Sequence, residues 1–105
     1  MVERLLYFYN NELLPKVFEQ GSLGASGDLA PLAHLSLPLL GEGEMYMDGE
    51  LKPAADVLKE HKLSAIELQS KEGLALLNGT QFMASYGCSA LVKARKLSYL
   101  SDLIA

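Results

Sequence analysis

Val2, Leu5, Leu6 and Tyr9 recur at helical spacing, which predicts a first helix ending near Asn10-Asn11, two residues suited to a terminal turn. No clear period follows from Leu13 to Phe18. Pro15 disfavours a helical Leu14, so this stretch is expected to be an extended connector. Gly21, Gly24 and Gly27 then fall within seven residues, too dense for an ordinary helix interior. Asp28 is placed to cap a second helix running to about Leu40. Pro31 would lie in its first turn, where a missing N–H costs nothing, and Gly41 would terminate it. Pro38 should bend this helix late. Apolar residues lie on nearly every side of it, and such a helix wants neighbours all round.

Met45-Tyr46-Met47, Asp48-Gly49 and Glu50-Leu51 predict a small hairpin with a tight turn. Pro53 should open a short helix through about His61. Ser64 and Glu67 have capping-box spacing for the next helix. That helix would carry Leu68, Leu74, Ala75 and Leu77 and stop at Asn78-Gly79. Thr80 can cap a long final helix, with Met83, Tyr86, Gly87, Ala90, Leu91, Ala94 and Leu97 near one stripe. The expected fold class is mostly α, with one small β-hairpin and no internal domain boundary.

Half of the 105 residues are hydrophobic, enough for one modest core. The net charge is −4, and the nine basic residues form no aromatic-interleaved patch, which argues against nucleic-acid binding. No apolar run approaches a membrane span. The longest, around Leu29 to Leu40, contains His34 and Pro38. Met1-Val2-Glu3-Arg4 does not read as the start of a signal peptide. Cys88 is the single cysteine, so no intrachain disulfide forms and a reducing compartment fits. It is expected to be a small buried residue of the last helix. His34 is expected to be packed and hydrogen-bonded, and His61 to face solvent. Two distant histidines without a cysteine cluster make no metal site.

Ala25-Ser26-Gly27 is the sharpest chemical feature. Glycine-rich turns before helices often bind phosphate or simply turn the chain. Here no dinucleotide fingerprint follows a strand, and no Lys-Ser or Lys-Thr pair closes the loop, so a nucleotide site is not indicated. Asn78-Gly79, taken alone, reads as a helix terminator.

Two ordered blocks change this reading. Gly21 to Ala33 (Gly-Ser-Leu-Gly-Ala-Ser-Gly-Asp-Leu-Ala-Pro-Leu-Ala) resembles the signature of the aromatic amino acid ammonia-lyases, meaning the histidine, phenylalanine and tyrosine enzymes and related aminomutases. Lys71 to Gln81 (Lys-Glu-Gly-Leu-Ala-Leu-Leu-Asn-Gly-Thr-Gln) is similar to a second block of that family, as are Gly41-Glu42-Gly43-Glu44 and the Asp48-Gly49 turn between. The resemblance covers nearly the whole chain. Phe18 departs from the family's common proline ahead of the signature. The Gly-Glu-Gly-Glu stretch and the second block look more like the bacterial histidine branch than the plant phenylalanine branch.

The resemblance implies a self-made electrophile, 4-methylidene-imidazole-5-one, formed without an external cofactor. Ala25, Ser26 and Gly27 would be its precursor. The Gly27 nitrogen would attack the Ala25 carbonyl, which needs a sharp bend and close approach at a residue without a side chain. Ser26 would supply the carbon of the exocyclic methylene. Free N–H groups at the start of the second helix could stabilise negative charge on the ring oxygen. The implied reaction removes ammonia and a β-proton from an aromatic L-amino acid. For the histidine branch, L-histidine would give trans-urocanate. Asn78 matches the family asparagine that contacts the prosthetic group or substrate. Asp28, Glu72 and Gln81 match supporting positions, with Asp28 expected to hold the loop by capping. None of Tyr9, Tyr46, Tyr86 and Tyr99 is an obvious match for a catalytic base.

The resemblance further implies a cytoplasmic homotetramer, built on a bundle of long helices, whose subunit is several times longer than this chain. Residues 1–105 are thus expected to be a single partial domain of the family's central domain. It would carry the prosthetic-group loop, about 21–31, and the Asn-Gly block, 71–81. Without the substrate-orienting and base groups the isolated chain should not complete the reaction. It should self-associate through its apolar second and last helices. The alternatives are a tyrosine or phenylalanine lyase or aminomutase segment, a non-enzymatic helical oligomerisation fragment, and a small-molecule binder.

Overall fold

The computed structural model describes residues 1–23 and 27–104. Among these residues five α-helices and a three-stranded antiparallel sheet follow one another as α1 (Val2–Asn10), β1 (Leu14–Pro15), α2 (Leu29–Ser36), β2 (Glu44–Met47), β3 (Glu50–Pro53), α3 (Ala54–Glu60), α4 (Glu72–Leu77) and α5 (Gln81–Ile104). The mostly helical class is as expected, and the hairpin is one strand larger than predicted. The extended connector pairs with it, Leu14 opposite Tyr46 and Pro15 opposite Met45. Pro15 is tolerated because β1 is an edge strand. The Lys16 N–H donates to the Glu44 carbonyl at 3.0 Å, and the Lys16 ammonium lies 2.6 Å from the Glu44 carboxylate.

Strand β2 alternates as a half-buried strand must, with Met45 and Met47 inward and Glu44 and Tyr46 outward. Its turn to β3 has φ of +53° at Asp48 and +80° at Gly49, the two positive values that a two-residue hairpin turn requires. A Cβ added at Gly49 would meet nothing within 4 Å, so only the backbone resists one. Gly49→Ala should therefore lower stability by about 1 kcal/mol, read from urea unfolding, with no change in secondary-structure content.

The core lies between this sheet, α1 and α3. Phe8, Leu13, Leu39, Met45, Val57 and Leu58 are all buried there. The expected stripe on α1 is not its buried face. Phe8 is buried with Leu5 and Tyr7 packed beside it, while Val2, Leu6 and Tyr9 are exposed. Helix α2 gives way at Leu37 to a 3-10 turn, Leu37–Leu40, that contains Pro38. Gly41 stops it in the left-handed conformation, φ +78°. The N–H of Gly41 bonds the Pro38 carbonyl and that of Glu42 bonds the Leu37 carbonyl. Pro31 and Leu32 are buried, but Leu29 and Leu35 are exposed, so the neighbours that α2 wants are not all present.

The predicted helix from Ser64 does not form. Residues 63–69 have no regular structure, because packing claims them first. Leu63 and Ile66 pack on the core, the Ile66 N–H bonds the Leu39 carbonyl at 2.8 Å, and the Ser64 carbonyl accepts from the Arg4 guanidinium at 2.7 Å. Helix α4 starts only at Glu72. Helix α5 then runs for 24 residues after Thr80, whose carbonyl accepts from the Ala84 N–H. From Met83 to Ile104 every residue of it is exposed. Cys88 is accordingly exposed rather than buried, since nothing in the described chain covers it. Among the described residues no helix is long and apolar enough to cross a membrane, and no cluster could hold a metal ion.

Candidate functional site

Asp28 joins four parts of the chain. It stands at the N-cap of α2, and its carbonyl accepts the Leu32 N–H that begins the helical ladder. Its side chain makes no capping bond, contrary to expectation. The carboxylate, in a residue only 1% exposed, instead accepts from two distant donors. Oδ1 receives the Ser22 hydroxyl at 2.8 Å, and Oδ2 receives the Met83 N–H of the first turn of α5 at 2.8 Å. The Asp28 N–H donates to the Gly79 carbonyl at 2.8 Å. A buried carboxylate needs such donors, because unpaired it would lose its hydration without replacement. Helix capping loses here because the orphan N–H of α5 and the Ser22 hydroxyl offer tertiary bonds that α2 alone cannot.

Gly27 is held from the other side. Its φ is +117°, and a Cβ there would fall 2.9 Å from the Gly79 oxygen and 3.2 Å from the Gly79 nitrogen. Gly27 and Asp28 thus lie directly on Gly79, so the two blocks of the sequence meet backbone to backbone. Ala25 and Ser26, the other two members of the tripeptide, lie outside the described residues.

The remaining residues singled out from the sequence gather around Gly79 to differing degrees. Asn78 is the C-cap of α4, with its side chain exposed and its N–H on the Leu74 carbonyl at 2.9 Å. The Gln81 carboxamide occupies the space beside Gly79 that a side chain at 79 would take. Glu72 faces back along the chain and accepts the Gln69 N–H at 2.7 Å, which supports the start of α4 rather than the tripeptide loop. A groove of about 410 Å³ runs between Glu19, Ser22 and Leu23 on one side and Phe82, Met83 and Tyr86 on the other, with Asp28 in its wall.

The two histidines differ from expectation. His61 does not face solvent freely. It is half-buried, with Nδ1 3.0 Å from the Tyr7 hydroxyl and the two rings edge to face. His34 is packed as expected, edge to face on Phe18, but its buried Nδ1 has no hydrogen-bond partner among the described residues. The phenyl ring at position 18 supplies packing but no polar atom. Ser22 and the Met83 N–H were not foreseen. A backbone donor is invisible in sequence, but a serine six residues ahead of a buried aspartate was a readable signal.

Residues 1–105 match the family described as aromatic amino acid lyase. Over its full length the chain is 50% identical to a histidine ammonia-lyase of Bacillus subtilis and 51% identical to one of Halalkalibacterium halodurans, spanning 21% and 20% of those proteins. The crystal structure of histidine ammonia-lyase from Trypanosoma cruzi superposes with a TM-score of 0.81 at 43% identity, over 91% of this chain and 19% of that one. Tyrosine aminomutase from Streptomyces globisporus superposes with a TM-score of 0.68 at 47% identity, over 75% of this chain and 14% of that one. The chain spans about a fifth of the length of the curated relatives it matches.

Proposed function

The chain belongs to the aromatic amino acid lyase family, and from that premise we propose that it is the segment of an ammonia-lyase subunit in which Ala25-Ser26-Gly27 becomes 4-methylidene-imidazole-5-one. The observation that carries this reading is the packing of Gly27 on Gly79. The residues present fit the group. Only glycine is accommodated at 27, so the nitrogen that must close the ring belongs to a residue held against a backbone wall.

When formed, the group supplies an electrophilic methylene that no ordinary side chain provides. The chain's own residues prepare and surround it. Gly79 holds Gly27 in a positive-φ conformation, and Asp28 ties the end of the loop to α5. Helix α2 begins at Leu29, so its first N–H groups follow the tripeptide at once, where partial positive charge favours a developing anion. Asn78 and Gln81 flank Gly79 and are the polar side chains available to the prosthetic group or a bound substrate. Glu72 supports them by fixing the start of α4.

The substrate in this reading is L-histidine and the product trans-urocanate, by elimination of ammonia. The support is identity of 50–51% across the whole chain to curated proteins named histidine ammonia-lyase. The similarity to a tyrosine aminomutase makes tyrosine the second candidate. The parent is read as a cytoplasmic homo-oligomer, a tetramer, in which residues 1–105 are part of the central domain. Complementation of this chain by the remaining regions of a parent subunit, assayed with L-histidine and L-tyrosine, should release urocanate and not coumarate. The reverse would reassign the substrate.

Intact mass of the purified chain, with peptide mapping across Gly21 to Pro31, tests ring formation directly. Cyclisation and dehydration remove two waters, about 36 Da. That loss, localised to Ala25-Ser26-Gly27, is the expected result. An unmodified mass would overturn ring formation in this chain and leave it a packing fragment.

A further inference from the structure

We infer that Ser22 is a positioning residue for formation of the prosthetic group, acting through Asp28 to hold the upstream end of the loop while the ring closes. The inference rests on the proposed cyclisation of Ala25-Ser26-Gly27 and adds a residue that the cyclisation itself does not involve. In that step the Gly27 nitrogen bonds to the Ala25 carbonyl carbon, and the carbonyl oxygen leaves as water with the Gly27 and Ser26 amide hydrogens, which leaves a double bond from that carbon to the Ser26 nitrogen. A second water takes the Ser26 hydroxyl and its α-hydrogen. The two atoms that must meet therefore belong to opposite ends of a three-residue segment, and closure needs both ends held.

The downstream end is held by Gly79, against Gly27 and through the Asp28 N–H. Upstream, the Ser22 hydroxyl reaches across six residues to Oδ1 of Asp28 at 2.8 Å. The tripeptide thus lies between two residues, Ser22 and Asp28, that a side-chain hydrogen bond joins. Asp28 is itself fixed, buried and bonded to the Met83 N–H through its other oxygen. Ser22 itself is exposed, while its hydroxyl bonds the buried carboxylate. Joining the ends of a short segment raises the effective concentration of one reacting atom at the other.

Ser22→Ala removes the bond and leaves the other contacts of Asp28 in place. The purified chain, Ser22→Ala and Ser22→Thr are compared by the rate at which the two-water loss appears after refolding, with circular dichroism and urea unfolding as checks on the fold. The expected result is a slowing of about tenfold in Ser22→Ala, the loss of one charge-assisted hydrogen bond, and near-normal formation in Ser22→Thr, which keeps the hydroxyl. Formation in Ser22→Ala at the unsubstituted rate overturns the inference and leaves the proposed function standing. Equal slowing in Ser22→Thr, with the fold intact, also overturns it. Absence of the loss from the unsubstituted chain overturns both the inference and the cyclisation on which it rests.

Discussion

Gly27→Ala is expected to abolish the two-water loss, reducing ring formation by roughly a hundredfold or more, and to destabilise the chain by about 3 kcal/mol. Two independent costs combine. At φ +117° an L-residue is strained whatever the space around it. The added Cβ would also fall 2.9 Å from the Gly79 oxygen. That atom is backbone and its carbonyl is already bonded to the Asp28 N–H, so it cannot swing aside as a side-chain end could. Relief can come only by moving Gly27 away from Gly79, which displaces the nitrogen that must close the ring. Gly73→Ala is the control. Gly73 sits in α4 without positive φ, and its added Cβ would be in ordinary contact with the Leu68 side chain, at 3.6 Å. It should leave ring formation unchanged and raise stability by about 0.5 kcal/mol, as alanine does in a helix. Mass spectrometry and urea unfolding on the two variants separate the outcomes. Ring formation in Gly27→Ala at the normal rate would show that the contact with Gly79 is irrelevant to the chemistry.

The second large effect concerns α5. A compact monomer of 11.4 kDa should expose about 5,800 Å², whereas this chain exposes 7745 Å². Much of the excess is α5, where Leu91, Val92, Leu97, Leu100, Leu103 and Ile104 stand in solvent. So many large apolar side chains left in water on one helix are built to be covered. The unsubstituted chain should therefore sediment above monomer mass, with a concentration dependence. Leu97→Glu combined with Leu100→Glu should weaken self-association by about 3 kcal/mol, roughly a hundredfold, since each leucine forfeits its burial. The fold of residues 1–80 should persist in this variant, because neither leucine contributes to the core. A monomer at high concentration in the unsubstituted chain would count against self-association altogether.

Local chemistry was enough for many elements. Asp48-Gly49 specifies a hairpin turn because few residue pairs accept two positive φ values, and the structure has both. Pro31, Pro38 and Gly41 mark the first turn, late bend and stop of one helical segment, since each acts on its own backbone. Where partners compete, local signals failed. Ser64 and Glu67 spell a capping box, yet Leu63 and Ile66 are worth more against the core than a turn of helix. The α1 stripe was misplaced because periodicity identifies an apolar face without saying which face finds a neighbour.

Two blocks whose order chance does not reproduce identify the family from the residues alone, and they contain the tripeptide proposed to become the electrophile. They also leave position 27 without a side chain. Why that matters comes from long-range packing: Gly27 meets Gly79, 52 residues further along, at a distance that leaves no room for a Cβ. Packing likewise decided that the Asp28 carboxylate spans Ser22 and Met83 instead of capping its own helix. Turn chemistry is written in φ preferences of single residues and can be read along the chain. A buried carboxylate takes whichever donors folding brings within reach, and a backbone N–H carries no mark of that in the sequence.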